Sequence, residues 1–147
     1  MNMRNMKATT VEQSLHLIGL GLKKESSDLY YYFGREDELE VIVNHSNLRD
    51  EDVVAWSFDR LLDVMPKSII INKREYKKVL WQNPTWGDWV IWYEAKYYDG
   101  KTHITERYDH LHTVNNENKI TAAYEMVCWL LENNLIKKEG QDGRDRN

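Results

Sequence analysis

The sequence predicts an α+β domain: an antiparallel β-sheet meander centred on a hairpin over residues 88–112, with three helices packed mainly on one face of it. Two observations carry this expectation. From Gly87 to His112, two strand-like runs flank Asp99-Gly100, a dipeptide suited to a type I′ turn because both of its positions take φ > 0. Elsewhere, three stretches place apolar residues at helical spacing behind a residue able to cap a helix.

Counting outward from a two-residue turn sets Tyr98 against Lys101, Ala95 against Ile104 and Ile91 against Tyr108. One face then carries Trp89, Ile91, Tyr93, Ala95 and Tyr97 with Thr102, Ile104, Glu106, Tyr108 and His110. The other carries Trp92, Glu94 and Lys96 with His103, Thr105 and Arg107. The first face is mostly apolar and the second mostly polar, as a sheet covered on one side requires.

Residues 1–9 read as a flexible leader. Thr10-Val11-Glu12-Gln13 has the form of a capping box, with Thr10 as N-cap and Gln13 reaching back. Val11, Leu15 and Ile18 form the stripe of a first helix, 11–18, with Gly19 as the residue that ends it. Lys23 to Asp28 suits a short helical turn. Tyr30 to Phe33 and Leu39 to Val43 are strand candidates that could pair across Gly34–Asp37, and Asn44 to Asp52 reads as a polar loop. Ser57 can cap a helix over 58–65, with Trp56 and Leu61 at the two positions of a hydrophobic staple and Pro66 as its stop. Ser68–Asn72 and Glu75–Trp81 read as short strands leading into the hairpin. Asn118 can cap a last helix over 119–133, where Ile120, Ala123, Tyr124, Val127, Leu130 and Leu131 give the clearest helical period in the chain. Residues 137–147 are charged and poor in apolar groups, a flexible tail. The single domain is 10–136.

Composition narrows the function classes. At 147 residues, 41% hydrophobic and 30% charged, the chain can bury a core without staples. Its net charge of −4 argues against nucleic acid, since counterion release by basic surplus supplies most non-specific affinity. Its one cysteine, Cys128, cannot pair internally, which suits a reducing compartment, and the N-terminus shows no long apolar run. A cytoplasmic protein with no membrane segment is expected. Six Trp and nine Tyr against two Phe is the compositional outlier.

The candidate chemistry is thin. His110 and His112 alternate as paired metal ligands can, but no CxxC or HExxH spacing supplies the remaining ligands. Glu106, beside Tyr93 and Tyr108 on the expected apolar face, could be a desolvated general acid or base. Trp81, Trp86, Trp89 and Trp92 fall in one strand-loop-strand unit and could stack on sugar rings or bases. Cys128 has no base near it in sequence and reads as inert.

Three blocks together resemble a set of small uncharacterised proteins carried by gut anaerobic bacteria and their phages or conjugative elements: Thr10-Val11-Glu12-Gln13-Ser14 with the Gly-Leu after it; Ala55-Trp56-Ser57 with Leu61-Leu62-Asp63-Val64-Met65-Pro66; and Ala123-Tyr124-Glu125-Met126 with Trp129-Leu130-Leu131-Glu132-Asn133-Asn134. The resemblance implies a shared fold and a mobile-element setting, and carries over no functional residue. A fainter likeness, in Trp-Val-x-x-Trp-Tyr-Glu followed by a D-G turn and a long strand, is to the curved sheet of the nuclear-transport-factor-2-like superfamily, whose members bind or isomerise small apolar ligands.

The expected function is that of a small accessory protein, non-enzymatic, acting through contact with an unknown protein or with itself. Trp86, Tyr30, Tyr31 and Tyr32 are the candidate contact residues. The alternative is a small-molecule or enzymatic pocket built from Tyr93, Glu106 and Tyr108. A third reading is single-stranded nucleic-acid binding by the Trp-rich loop. No catalytic residue, metal ligand or cofactor is assigned.

Overall fold

The computed structural model describes residues 6–99 and 105–139. In chain order they form α1 (Val11–Gly19), β1 (Leu29–Tyr31), β2 (Leu39–Val41), β3 (Val53–Ala55), α2 (Phe58–Val64), β4 (Ser68–Ile71), β5 (Arg74–Gln82), β6 (Trp89–Asp99), β7 (Thr105–Asn116) and α3 (Lys119–Glu132). The architecture is α+β, with two antiparallel sheets: a small one ordered β2-β1-β3 and a meander ordered β4-β5-β6-β7. No helix of the described residues is long and apolar enough to cross a membrane.

Local chemistry sets the helix ends. Thr10 accepts from the Gln13 N–H while the Gln13 side chain accepts from the Thr10 N–H, a complete capping box. Ser57 caps α2 through the Arg60 N–H, and Asn118 caps α3 through the Thr121 N–H. Gly19 stays helical; the left-handed residue beyond α1 is Gly21, at φ 104°. A Cβ there would lie 3.0 Å from Lys138, so the close passage of the 137–139 segment also favours glycine. Glu139 donates its N–H to the Gly21 carbonyl, so the described start of the expected tail is pinned to the turn that follows α1. The expected leader is likewise held at its described end. Met6, Ala8 and Thr9 are buried, and Thr9 exchanges hydrogen bonds with the Trp56 backbone.

The core lies between the helices and one face of the meander. Ile91, Tyr93 and Ala95 point inward from β6 and are fully buried, as are Ile120, Ala123, Met126, Val127, Leu130 and Leu131 of α3 and Leu61 of α2. Trp56 and Leu61 sit in this core as the expected staple, and the Trp56 indole N–H donates to Ser26 Oγ at 3.0 Å. β3 was not expected: its three residues, Val53 to Ala55, are too few to show alternation, yet they pair with β1 along its whole length.

The hairpin register differs from the expectation. Ala95 pairs with Asp109 and Ile91 with Val114, not with Ile104 and Tyr108. Asp99 pairs with Thr105, so residues 100–104 separate the strands where Asp99-Gly100 alone was expected to turn; Gly100 lies outside the described residues. A shift by an odd number of residues turns β7 over. Leu111 thereby meets the core, whereas the expected register would have driven Glu106 and His110 into it; Val114 meets it because the strand irregularity after Leu111 returns the even-numbered residues to that face. A β-bulge opposite Trp92 absorbs one further residue between Leu111 and Val114.

Candidate functional site

Strand alternation leaves the meander with an outer face that no described helix covers. It presents Ile70 from β4, Val79 and Trp81 from β5, Trp92 and Tyr98 from β6 and Tyr108 from β7. Ile70 is 71% exposed, Trp81 47%, Tyr98 56% and Tyr108 54%. Val79 and Trp92 are direct cross-strand partners and half-bury each other. A belt of charge crosses the middle of the face, with Lys77 opposite Glu94 and Glu94 opposite His110. His110 Nε2 lies 2.7 Å from a Glu94 carboxylate oxygen that also accepts the Trp92 indole N–H at 3.4 Å, and the Trp92 and His110 ring centroids are 5.8 Å apart. The face is thus aromatic and aliphatic toward the Trp81 end, while toward the other end Ile70, Tyr98 and Tyr108 alternate with Glu75 and Lys96.

The residues expected to form an alternative pocket are not brought together. Tyr93 points inward and is fully buried, with its hydroxyl on the Pro66 carbonyl, while Tyr108 stands on the outer face. The register pairs Glu106 with Tyr98, and the Glu106 side chain lies outside what is described. The inner face is filled by helix side chains.

The expected contact residues separate as well. Trp86 is 77% exposed in the β5–β6 loop. Asn83 Oδ1 accepts the N–H groups of Thr85 and Trp86, and Gly87, at φ 78°, returns its N–H to the Asn83 carbonyl, so the loop is a closed turn. The three tyrosines belong to the small sheet and its following turn. Tyr31 is buried and donates its hydroxyl to the Thr9 carbonyl, a correction to its place among the contact residues. Tyr30 and Tyr32 are half-buried, and the Arg49 guanidinium lies 4.4 Å from the Tyr32 ring.

Between the 83–88 loop and the β7–α3 turn is an open cleft of about 940 Å³. Trp86 and Trp89 line it, with polar groups from Gln82, Asp88, Asn115 and Glu117.

The remaining titratable groups offer little chemistry. The bulge separates the two candidate histidines: His110 bonds Glu94 on the outer face, while His112 stacks on Trp129 of α3 with ring centroids 5.0 Å apart. Among the described residues no group of three or more His, Cys, Asp or Glu side chains is placed to hold a metal. Sequence reading missed the neighbour of Cys128: His16 Nδ1 lies 3.7 Å from its sulfur and 2.6 Å from the Tyr124 hydroxyl. The contact joins α1 to α3, and nothing local in either segment signals it. Burial outweighs the lowering effect of the Tyr124 hydrogen bond and, with the charges of Glu132 and Glu125, pushes the thiol up to about 11, so it is protonated at neutral pH and a poor nucleophile.

No protein-family model, curated protein or solved structure matches this chain.

Proposed function

We propose that this chain is a small soluble accessory protein of the cytoplasm, without catalysis of its own, that works by contact with another protein through the outer face of the meander. One observation carries the reading: a four-stranded sheet whose uncovered face bears Trp81, Trp92, Tyr98, Tyr108 and Ile70. Tryptophan and tyrosine dominate binding energy at protein interfaces, and an uncovered aromatic surface of this kind marks a contact site. The charges on the face favour a protein over a nucleic acid, because Lys77 and Lys96 stand among Glu75 and Glu94 and so offer little unbalanced charge to a phosphate chain. The partner that fits presents an apolar strip toward the Trp81 and Trp92 end and a mixed apolar and charged surface toward the Tyr98 and Tyr108 end. The resemblance of the three helix-bearing blocks to mobile-element proteins supports an accessory role.

The test is a double variant, Trp81→Ser with Tyr108→Ser. Both rings are about half exposed, so the thermal melt should move little. Capture of the partner from native cells by the tagged variant should fall about tenfold or more relative to wild type. Equal capture by both proteins would remove the outer face from the reading.

A further inference from the structure

The cleft beside Trp86 differs in chemistry from the outer face. Its two indoles, Trp86 and Trp89, are joined by the amides of Gln82 and Asn115 and the carboxylates of Asp88 and Glu117, and no lysine or arginine lines it. Trp89 is fixed from behind by an edge contact with Phe58 at 5.6 Å. Trp86 is held out by the closed 83–88 turn. The opposite wall is fixed by Asn116, which joins Glu125 to the Asn118 N–H, and by the Asn118 cap of α3.

These features select a class of ligand. An exposed indole favours a flat partner with an apolar face, and amides with carboxylates favour one rimmed by hydroxyls. A purely apolar ligand would desolvate the polar lining without replacing its hydrogen bonds. A phosphate-bearing ligand would meet two carboxylates and a protein of net charge −4, and the Lys119 ammonium, 5.8 Å from the Trp89 ring centroid, lies outside the lining and over the Phe58 ring as well. A pyranose unit satisfies both demands, with C–H groups on its face and hydroxyls on its edge. The open shape of the cleft suits a chain of such units, and its volume lies within the range of small-molecule sites. We infer that this cleft is a carbohydrate-binding site that takes neutral pyranose units of an oligosaccharide stacked on Trp86. The inference is independent of the protein contact proposed above, which uses the neighbouring face and other residues.

The experiment is a fluorescence and calorimetric titration of the full chain with five probes: the hexasaccharides of cellulose, xylan, mannan, chitin and amylose, each to roughly 10 mM, with hexa-adenylate as the anionic control. At least one saccharide should bind with a Kd in the millimolar range or tighter, and hexa-adenylate should not bind. Trp86→Ala should weaken that binding about tenfold, and Trp86→Phe should recover part of it. As a measurement that needs no variant, the indole N–H resonances of Trp86 and Trp89 should shift on titration while that of buried Trp56 stays in place. Absence of binding by all five saccharides, binding indifferent to Trp86→Ala, or binding of hexa-adenylate in their place would each overturn the inference.

Discussion

The hydroxyl of Tyr93, on the inner face of β6, donates a hydrogen bond to the carbonyl oxygen of Pro66 at 2.6 Å. The bond ties the middle of the large sheet to the residue that stops α2. Removing the hydroxyl leaves a carbonyl without this donor beside the core. Tyr93→Phe should therefore cost about 1–3 kcal/mol in equilibrium urea melts. Burial also holds the Tyr93 phenol above its ordinary range. Ultraviolet titration of the native protein should show Tyr93 un-ionised until the fold is lost at high pH.

Trp56 is fully buried and carries a hydrogen bond at each of its nitrogens. Trp56→Ala removes a large core side chain and leaves Ser26 Oγ without the indole donor. The expected loss is roughly 3–5 kcal/mol. A loss under about 1 kcal/mol would mean that the ring is not part of the core.

What could be read in advance was what is local. Thr10, Gln13, Ser57 and Asn118 act within three or four residues of themselves, and each cap formed where its side-chain chemistry placed it. Register is not local. Asp99-Gly100 carries the strongest short-range turn signal in the chain, yet pairing of Leu111 and Val114 with the core determines how β7 lies. β3 escaped notice because three residues have no period to detect. The β6 half of the outer face, with Trp92, Glu94 and Lys96, was legible, but the β7 half was not, because the expected register put Tyr108 inside and Arg107 outside. Trp86 was legible, because a ring in a polar loop containing proline has little to pack against. The cleft beside it was not, since it needs Asn115 and Glu117 brought from the far end of β7.

The β4–β5 hairpin turns through Asn72 and Lys73, both left-handed, at φ 52° and 67°. Asparagine tolerates that region; for lysine the Cβ makes it costly. Lys73→Gly should stabilise the domain by about 1 kcal/mol, read as a rise in the urea midpoint at unchanged slope.

Asp52 closes the turn that holds Phe33 at φ 52°. Partial burial alone would raise its carboxyl pKa, but the N–H groups of Arg49 and Phe33 and the Arg49 guanidinium together bring it below the ordinary value. A depressed folded pKa contributes stability that is present above the unfolded value and is lost as pH falls through the folded one. Asp52→Asn should therefore be less stable than wild type at pH 7, with the gap closing as pH falls below the ordinary carboxylate range. A gap that stays constant across that window would show that the carboxylate charge does no stabilising there.

Site-specific photo-crosslinking inside native cells tests the outer-face contact most directly. A photo-reactive phenylalanine is placed in turn at the positions of Trp81 and Tyr108 on the outer face and of Leu15, which is exposed on α1 away from it. One discrete protein adduct, of the same mass, is expected from both outer-face positions and none from the Leu15 position. Adducts from Leu15 alone, or none from Trp81 and Tyr108 while the protein remains folded, would contradict the outer-face contact.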